Sequence, residues 1–461
     1  MASLVIRNGE IVTASQRYVA DILCDDGVIV AIGKHLDVAA GTEEYDASGK
    51  FVFPGFIDPH THVYLPFMGS FACDTYETAT IAALCGGTTT LIDFCIPGRD
   101  ESPLAAIETW RSKAEGNAAS DWTWHMAVTR FDDEVERELR QIVASGITSF
   151  KVFLAYGGAL GVDDKELYGV MKLAAELGVI VTAHCENADM IDALQKRFVS
   201  EGKTGPEWHE PSRPTYVEAE GTRHFCTMAR LTGAHGYIVH LSCEEALNEA
   251  IEAQLQGANV WVETLIQHLL LDNTHAERPD FEGANFVMSP PLREKSNQDA
   301  LWAGFSKGMV ATLGSDHAPF NTEQKKMGKD NFCLIPNGIP SLEDRVRMFY
   351  THGVETGRVD IHRFVDAAST QAAKLFGMFP KKGTIQLGSD ADLVVYDKEH
   401  RSTISAKTHH MNIDYNPFEG YEVKGRCALV TVRGTVQVRD GEFVGKKGIG
   451  KLIKREPTHF G

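Results

Sequence analysis

The sequence predicts an α/β protein: a TIM-like (β/α)8 barrel carrying a small β-sandwich built from both chain ends. Three observations carry that expectation. Apolar, strand-like runs alternate with helical stretches through the middle of the chain. Short strands separated by turns occur at both ends. Imidazole, carboxylate and amine side chains recur towards the ends of five of the central runs.

The opening stretches "SLVIRNGEIVT", "ADILCDDGVIVAIG" and "TEEYDASGKFVFPG" alternate apolar and polar residues between Gly- and Asp-containing turns, as antiparallel strands do. The pattern returns in "DADLVVYD" and "ALVTVRGTVQVRDGEFVG". If the two ends pair, the middle is an insertion between them. The expected units are then 1–53 (first half of the sandwich), 54–376 (barrel) and 377–461 (second half and tail). The central strand-like runs are 55–63, 88–94, 122–129, 149–156, 180–186, 236–242, 259–265 and 311–319. Between them, "KELYGVMKLAAELG" (165–178) and "EEALNEAIEAQLQG" (244–257) show helical spacing and a terminal Gly suited to a C-cap. Eight strands with intervening helices point to the barrel; no other repeat is evident.

The bulk properties narrow the function. A chain of 461 residues suits one large domain and a smaller one. A net charge of −18 argues against nucleic acid or an anionic membrane as partner, since both need a positive footprint. No run is long enough to span a bilayer, and the N-terminus lacks the apolar stretch of a signal peptide. The nine cysteines are scattered without a CxxC pair, which fits reduced thiols in a cytoplasmic enzyme. The basic stretch "GKKGIGKLIKRE" (445–456) reads as a solvated tail or a strap between subunits, with a contact arm as the alternative.

The chemistry concentrates on the barrel strands. "GFIDPHTHV" places His60 and His62 two apart, so on a strand their rings share one face. Lys151, His184, His240 and Asp316 sit towards the ends of four further runs. In a barrel those ends converge where active sites are built. A single strand-end His is more often structural than functional, but the joint pattern reads as a metal site. Imidazole and carboxylate suit zinc, with iron or manganese as alternatives. Lys151 has two readings of equal weight. It is a lysine reaching to the rim, or a neutral amine that adds CO2 and bridges two ions about 3.5–4 Å apart as a carbamate. His125 and His268 read as structural. His317 should point away from Asp316 and support the site from behind.

"GFIDPHTH", "GGTTTLIDF", "ITSFKVFLAY", "TAHCEN", "YIVHLSC", "GSDHAPF" and "IPNGIPSLEDR" together resemble the cyclic amidohydrolases, specifically the dihydropyrimidinase/hydantoinase branch. The similarity covers nearly the whole chain. It implies two Zn2+ per subunit bridged by N6-carboxylated Lys151. His60, His62, Lys151 and Asp316 match the ligands of one ion, and Lys151, His184 and His240 those of the other. It also implies a homotetramer acting on a small cyclic amide: 5,6-dihydropyrimidines, 5-substituted hydantoins or both, opened to N-carbamoyl amino acids. By the same resemblance Tyr156 donates to the developing oxyanion, and backbone groups of Ser289 and Asn337 hold the ring. Asp316 serves as general base and then acid, beside a water activated by the metals.

Leu65, Phe67, Phe153 and Leu160 are candidates to meet the ring substituent; residues in such positions are as often packing as pocket. The chain departs from the family pattern at Ala318, where many relatives carry Cys, and in "AYGGALG" (155–161), where relatives often carry bulkier or charged residues. Two rival readings remain. One is an allantoinase or dihydroorotase, the latter needing a cation for a substrate carboxylate, with Arg293 as the nearest candidate. The other is a non-catalytic dihydropyrimidinase-related binding protein, against which stands the full set of metal-capable residues.

Overall fold

The computed structural model describes residues 3–458. Residues 1, 2 and 459–461, which the expected terminal units include, lie outside the described residues. The chain begins with β1 (Leu4–Val12), β2 (Arg17–Asp25), β3 (Val28–Gly33), β4 (Glu43–Asp46) and β5 (Phe51–Pro54). After Gly55 comes the first barrel strand, β6 (Phe56–Thr61), and a small hairpin, β7 (Pro66–Phe67) with β8 (Ser70–Phe71). The remaining barrel strands are β9 (Thr88–Cys95), β10 (Asp121–Ala127), β11 (Ser149–Phe153), β12 (Ile180–His184), β13 (His235–Ile238), β14 (Val260–Leu265) and β15 (Thr312–Gly314). The chain closes with β16 (Leu393–Thr403), β17 (Glu422–Val432), β18 (Thr435–Arg439) and β19 (Glu442–Phe443).

The two ends do meet in one sheet, ordered β19-β18-β17-β16-β5-β1-β2-β3 with β4 added to β1. The junction is the antiparallel pair β5–β16, with Phe53 opposite Val394. β1 serves two partners on one side because it bulges between Ile6 and Gly9, Asn8 taking φ 57°. Residues 4–7 then pair with β4, and residues 10 and 11 with β5. Ile6, Ile22, Val52, Leu393 and Leu429 belong to a single buried cluster, the core of the expected sandwich.

All eight central runs form strands of one parallel sheet, β15-β14-β13-β12-β11-β10-β9-β6. Their near-continuous apolar sequence follows from burial on both faces. Between β15 and β6 the ring is closed by two backbone hydrogen bonds past the end of β15. Asp316 N–H donates to the His60 carbonyl and His62 N–H to the His317 carbonyl, both at 2.9 Å. Asp58 reinforces this seam: its Oδ1 accepts from the N–H groups of His60 and Ser315, both at 3.1 Å. The helices follow their end signals. Asp164–Leu177 starts at a reciprocal Asp163/Glu166 cap and stops at Gly178, φ 66°. Among the described residues no helix is long and apolar enough to cross a membrane.

One expectation needs correction. Residues 445–456 are not a solvated tail. They cross the floor of their own barrel as an added parallel partner to β10: Trp122 N–H donates to Lys451 O (3.1 Å) and Ile453 N–H to Trp122 O (2.8 Å). Ile453 joins an apolar cluster with Ile57, Ile92 and Phe376. Arg455 is 2% exposed and donates to Thr123 Oγ1 (3.1 Å), Ser149 Oγ (2.9 Å) and the Trp124 carbonyl. The basic residues that suggested a tail stay at the surface at Lys451 and Lys454, while the alternate positions 453 and 455 turn inward, the period of an extended strand.

Candidate active site

The residues singled out on five strands converge. His60 Nε2 and His62 Nε2 lie 3.0 and 3.1 Å from the same atom, Asp316 Oδ1, and 3.3 Å from each other. His240 joins them, with one ligand-capable atom each from His60, His240 and Asp316 lying within 4.8 Å of one another. The His184 ring packs on that of His240, centroids 4.6 Å apart. Lys151, in the middle of β11, lies 1% exposed with Nζ 4.8 Å from the ring centroids of both Phe94 and Phe153. It makes no hydrogen bond or ion pair to a described residue.

The backbone bends sharply to build this cluster. His184 is the last residue of β12, but His240 and Asp316 lie beyond the ends of β13 and β15, with φ of 41° and 48°. Tyr156, three residues past β11, has φ 60°. Three non-glycine residues in left-handed conformation at one site represent strain of about 1–3 kcal/mol each, held by the surrounding framework. The strands therefore end earlier than their apolar sequence suggests. The left-handed turns redirect His240, Asp316 and Tyr156 from where an extended strand would have sent them.

Two buried carboxylates orient the imidazoles. Glu263, on β14, accepts from His60 Nδ1 at 2.7 Å and from the His240 backbone N–H at 2.9 Å. Its other oxygen accepts from the Tyr237 hydroxyl at 2.8 Å. Glu186 accepts from His184 Nε2 at 2.7 Å and from Arg213 Nη1 at 2.6 Å. His60 thus presents Nε2 to the cluster, and His184 presents Nδ1. His317 points away, its Nε2 2.7 Å from Asp74 Oδ2. His125 bonds Ser149 Oγ (2.7 Å) and donates to the Pro59 carbonyl (3.0 Å), and His268 donates to the Pro290 carbonyl (3.3 Å); both have the framework contacts expected of them.

The electrostatics suit a cation at the centre. Burial pushes His62 down to about 4 and lowers His184 and His240, so these three stay neutral, as ligands must be. Burial also works against a charged His60, but Glu263 and Asp316 outweigh it and hold its proton up to about 9, a proton that a bound ion would have to displace. Burial opposes ionisation of Asp316 as well; the facing His60 and His62 overcome it and keep the carboxyl well below its ordinary range. Burial brings Lys151 down to about 8, partly offset by Asp316 and Glu263. Two imidazole nitrogens and a carboxylate oxygen aimed at one point, with His240 Nδ1 buried and lacking a hydrogen-bond partner, fit a bound metal ion. Because Glu263 fixes the orientation of His60, Glu263→Gln is expected to weaken metal affinity about 10- to 100-fold. Competition against a chromophoric chelator measures that loss.

A cavity opens directly on this cluster, lined by Lys151, His184, His240, Asp316, Tyr156, Ser289 and Asn337. Leu65, Phe67, Phe153 and Leu160 line it too, together with Ile96 and Ala318. Phe67 stands edge-on to Tyr156 at 5.5 Å between centroids. Tyr156 is half-buried beside Ser289 and Asn337, and burial raises its phenol, keeping the hydroxyl a donor. Asn337 Nδ2 donates to Ser289 Oγ at 3.0 Å. Among the described residues no arginine lines this cavity. Arg293 is spent elsewhere, on Glu218 Oε2 (2.8 Å), Ser242 Oγ (2.9 Å) and the Arg213 carbonyl.

Sequence reasoning missed Glu186, Glu263, Asp58 and Arg213. Two of these carry a readable signal: Glu186 is two residues from His184, and Glu263 is a carboxylate inside an otherwise apolar barrel strand.

A barrel with imidazoles, a carboxylate and a lysine gathered beyond the C-terminal ends of its strands defines a hydrolase class, and the sequence comparison agrees. The chain belongs to the amidohydrolase family, whose model matches residues 51–436. Within that family it falls in the dihydropyrimidinase/hydantoinase branch. It is 48% identical over 453 residues to a D-hydantoinase of Geobacillus stearothermophilus, covering 98% of this chain and 96% of that one. It is 41% identical to a dihydropyrimidinase of Rattus norvegicus, covering 98% and 89%. The solved D-hydantoinase (dihydropyrimidinase) of a Thermus species superposes with a TM-score of 0.98 at 60% identity, covering 99% of this chain and 100% of that one. The protein is accordingly a hydrolase of cyclic amides.

Proposed function

We propose that the chain opens the ring amide of 5,6-dihydropyrimidines and 5-substituted hydantoins by hydrolysis, yielding N-carbamoyl amino acids. The observation that carries the reading is the single cavity shared by the imidazole–carboxylate–lysine cluster, Tyr156 and an apolar wall. His60, His62, Asp316 and Lys151 would hold one Zn2+, and His184, His240 and Lys151 the other, with Lys151 carrying a carboxyl group on Nζ. Bound there, the ions would supply Lewis acidity and lower the pKa of water.

The chain's own groups do the rest. Ser289 and Asn337 fix the ring through their backbone groups. The Tyr156 hydroxyl donates to the amide oxygen as negative charge develops on it. Asp316, ionised by its histidine neighbours, takes the proton of the attacking water. It then returns that proton to the ring nitrogen as the C–N bond breaks. Leu65, Phe67, Phe153 and Leu160 meet the substituent at the ring's position 5, and Ala318 leaves room where a larger residue would intrude. The reading includes units of 1–53, 54–376 and 377–461, a cytoplasmic setting and a homotetramer, the last checked by light scattering.

The relatives at 48% and 60% identity are named D-hydantoinases, which favours the D enantiomer of a 5-substituted hydantoin. Turnover of dihydrouracil, hydantoin, D- and L-5-substituted hydantoins, allantoin and dihydroorotate tests the assignment. Preference for either of the first two ring types supports it, and preference for allantoin overturns it. Tyr156→Phe is expected to lower kcat about 10²- to 10³-fold with little change in KM, the mark of a donor engaged in the transition state.

A further inference from the structure

Lys325 is completely buried, yet among the described residues it has no carboxylate partner. Its ammonium instead donates to three backbone carbonyls: Val287 at 2.9 Å, Pro336 at 2.7 Å and Gly338 at 2.8 Å. Those carbonyls belong to two separate loops. One leads into Ser289; the other brackets Asn337. The loops already touch, through Gly338 N–H to Val287 O (3.0 Å) and Asn337 Nδ2 to Ser289 Oγ (3.0 Å). The buried charge clamps them from behind. Burial lowers the Lys325 amine well below its ordinary range. Against that, three carbonyl oxygens at 2.7–2.9 Å face Nζ, and satisfying all three takes the three protons of the ammonium.

The residue before it reaches the opposite wall. Gln324 Nε2 donates to Ser70 Oγ (2.6 Å) and to the Phe71 carbonyl (2.8 Å). Gln324 Oε1 accepts from Asn321 N–H (2.8 Å) and from Cys73 Sγ (2.9 Å). Ser70 is the direct cross-strand neighbour of Phe67 in the β7–β8 hairpin. One four-residue helix, Thr322–Lys325, therefore ties the hairpin of the apolar wall to the loops of Ser289 and Asn337.

We propose that Lys325 and Gln324 are positioning residues for the substrate: Lys325 sets the spacing of the two ring-holding loops, and Gln324 sets the hairpin that meets the ring substituent. The inference rests on the assignment of Ser289 and Asn337 to ring binding. Neither residue touches the metal-capable cluster, and the two act on different parts of the substrate. Backbone groups grip the ring alike in ground and transition states, so loosening them raises KM more than it lowers kcat.

The experiment compares wild type, Lys325→Met, Lys325→Gln and Gln324→Ala as zinc-loaded enzymes, with metal content, kcat and KM measured on hydantoin, dihydrouracil and a 5-substituted hydantoin. Wild-type turnover of these rings is established first; its absence would sink the ring-opening assignment, not the positioning one. Lys325→Met is expected to raise KM on all three substrates about tenfold or more, with kcat within about threefold and metal content unchanged. Lys325→Gln, retaining two donors, should fall between Met and wild type. Gln324→Ala should leave the unsubstituted rings nearly unaffected and shift kcat/KM for the substituted hydantoin relative to hydantoin about fivefold. Unchanged KM in folded Lys325→Met, or failure of both Lys325 variants to fold, would assign the residue to stability alone and overturn its positioning role. An unchanged substituent ratio in Gln324→Ala would overturn the role of Gln324.

Discussion

Lys151→Ala is expected to lower hydrolysis by at least about 10³-fold and to leave the purified protein short of its full metal complement. The side chain sits inside the cluster, between two aromatic faces, with no acceptor for its protons among the described residues. An ammonium so placed is a poor neighbour for cations, and burial already brings it down to about 8. Carboxylation, as proposed, would convert the repelling group into an anion that both ions could share. The substitution removes that anion and leaves a cavity the size of the lost chain. Acetate or propionate, entering the cavity, should restore part of the activity and part of the metal content. A titration of the variant with short carboxylic acids, followed by metal analysis and turnover together, measures both. Full turnover without added acid would mean that Lys151 is a rim lysine.

Asp316→Asn is the second large effect, expected to lower kcat about 10²- to 10⁴-fold. The amide keeps the shape but could not carry the proton that the proposed mechanism moves from water to the leaving nitrogen. It also removes the negative charge that faces His60 and His62 at 3.0 and 3.1 Å. Backbone closure of the barrel should survive, because the Asp316 N–H to His60 O bond does not involve the side chain. A cooperative melt at somewhat lower temperature than wild type, the charge facing His60 and His62 being lost, beside a collapsed kcat is therefore the expected pair of results. Circular dichroism melts and steady-state kinetics check it. A loss of fold would mean that Asp316 serves the seam rather than the chemistry.

The sequence made some parts of this site plain and hid others for identifiable reasons. His60 and His62 were legible because a strand repeats every two residues, and the eight apolar runs because a parallel barrel buries both strand faces. The halves of the terminal sheet were legible from turn residues, and their meeting from the return of the same pattern. Which strands join them, β5 and β16, was not, because register between distant segments is a tertiary fact. Glu263 and Glu186 were hidden because their role depends on which imidazole nitrogen they face, a tertiary fact. The left-handed turns at Tyr156, His240 and Asp316 were hidden because an apolar strand pattern does not show where the strand stops; His and Asp tolerate that conformation, whereas the tyrosine runs against residue preference. Lys325 lies beside Lys326 in "EQKKMG", where one lysine is fully buried and the next exposed. Nothing in the local pattern separates the two, because the burial comes from loops 287–289 and 336–338.

The central claim is that six side chains from five strands hold two ions with a carboxylated lysine between them. Anomalous diffraction at the zinc edge, from crystals of the enzyme prepared with zinc and bicarbonate, tests it most directly. The account predicts two peaks in the cavity, one beside His60, His62 and Asp316 and one beside His184 and His240, with Lys151 density extended by a planar carboxyl group that touches both. A lone peak on His60, His240 and Asp316, with Lys151 ending at its amine, would contradict it.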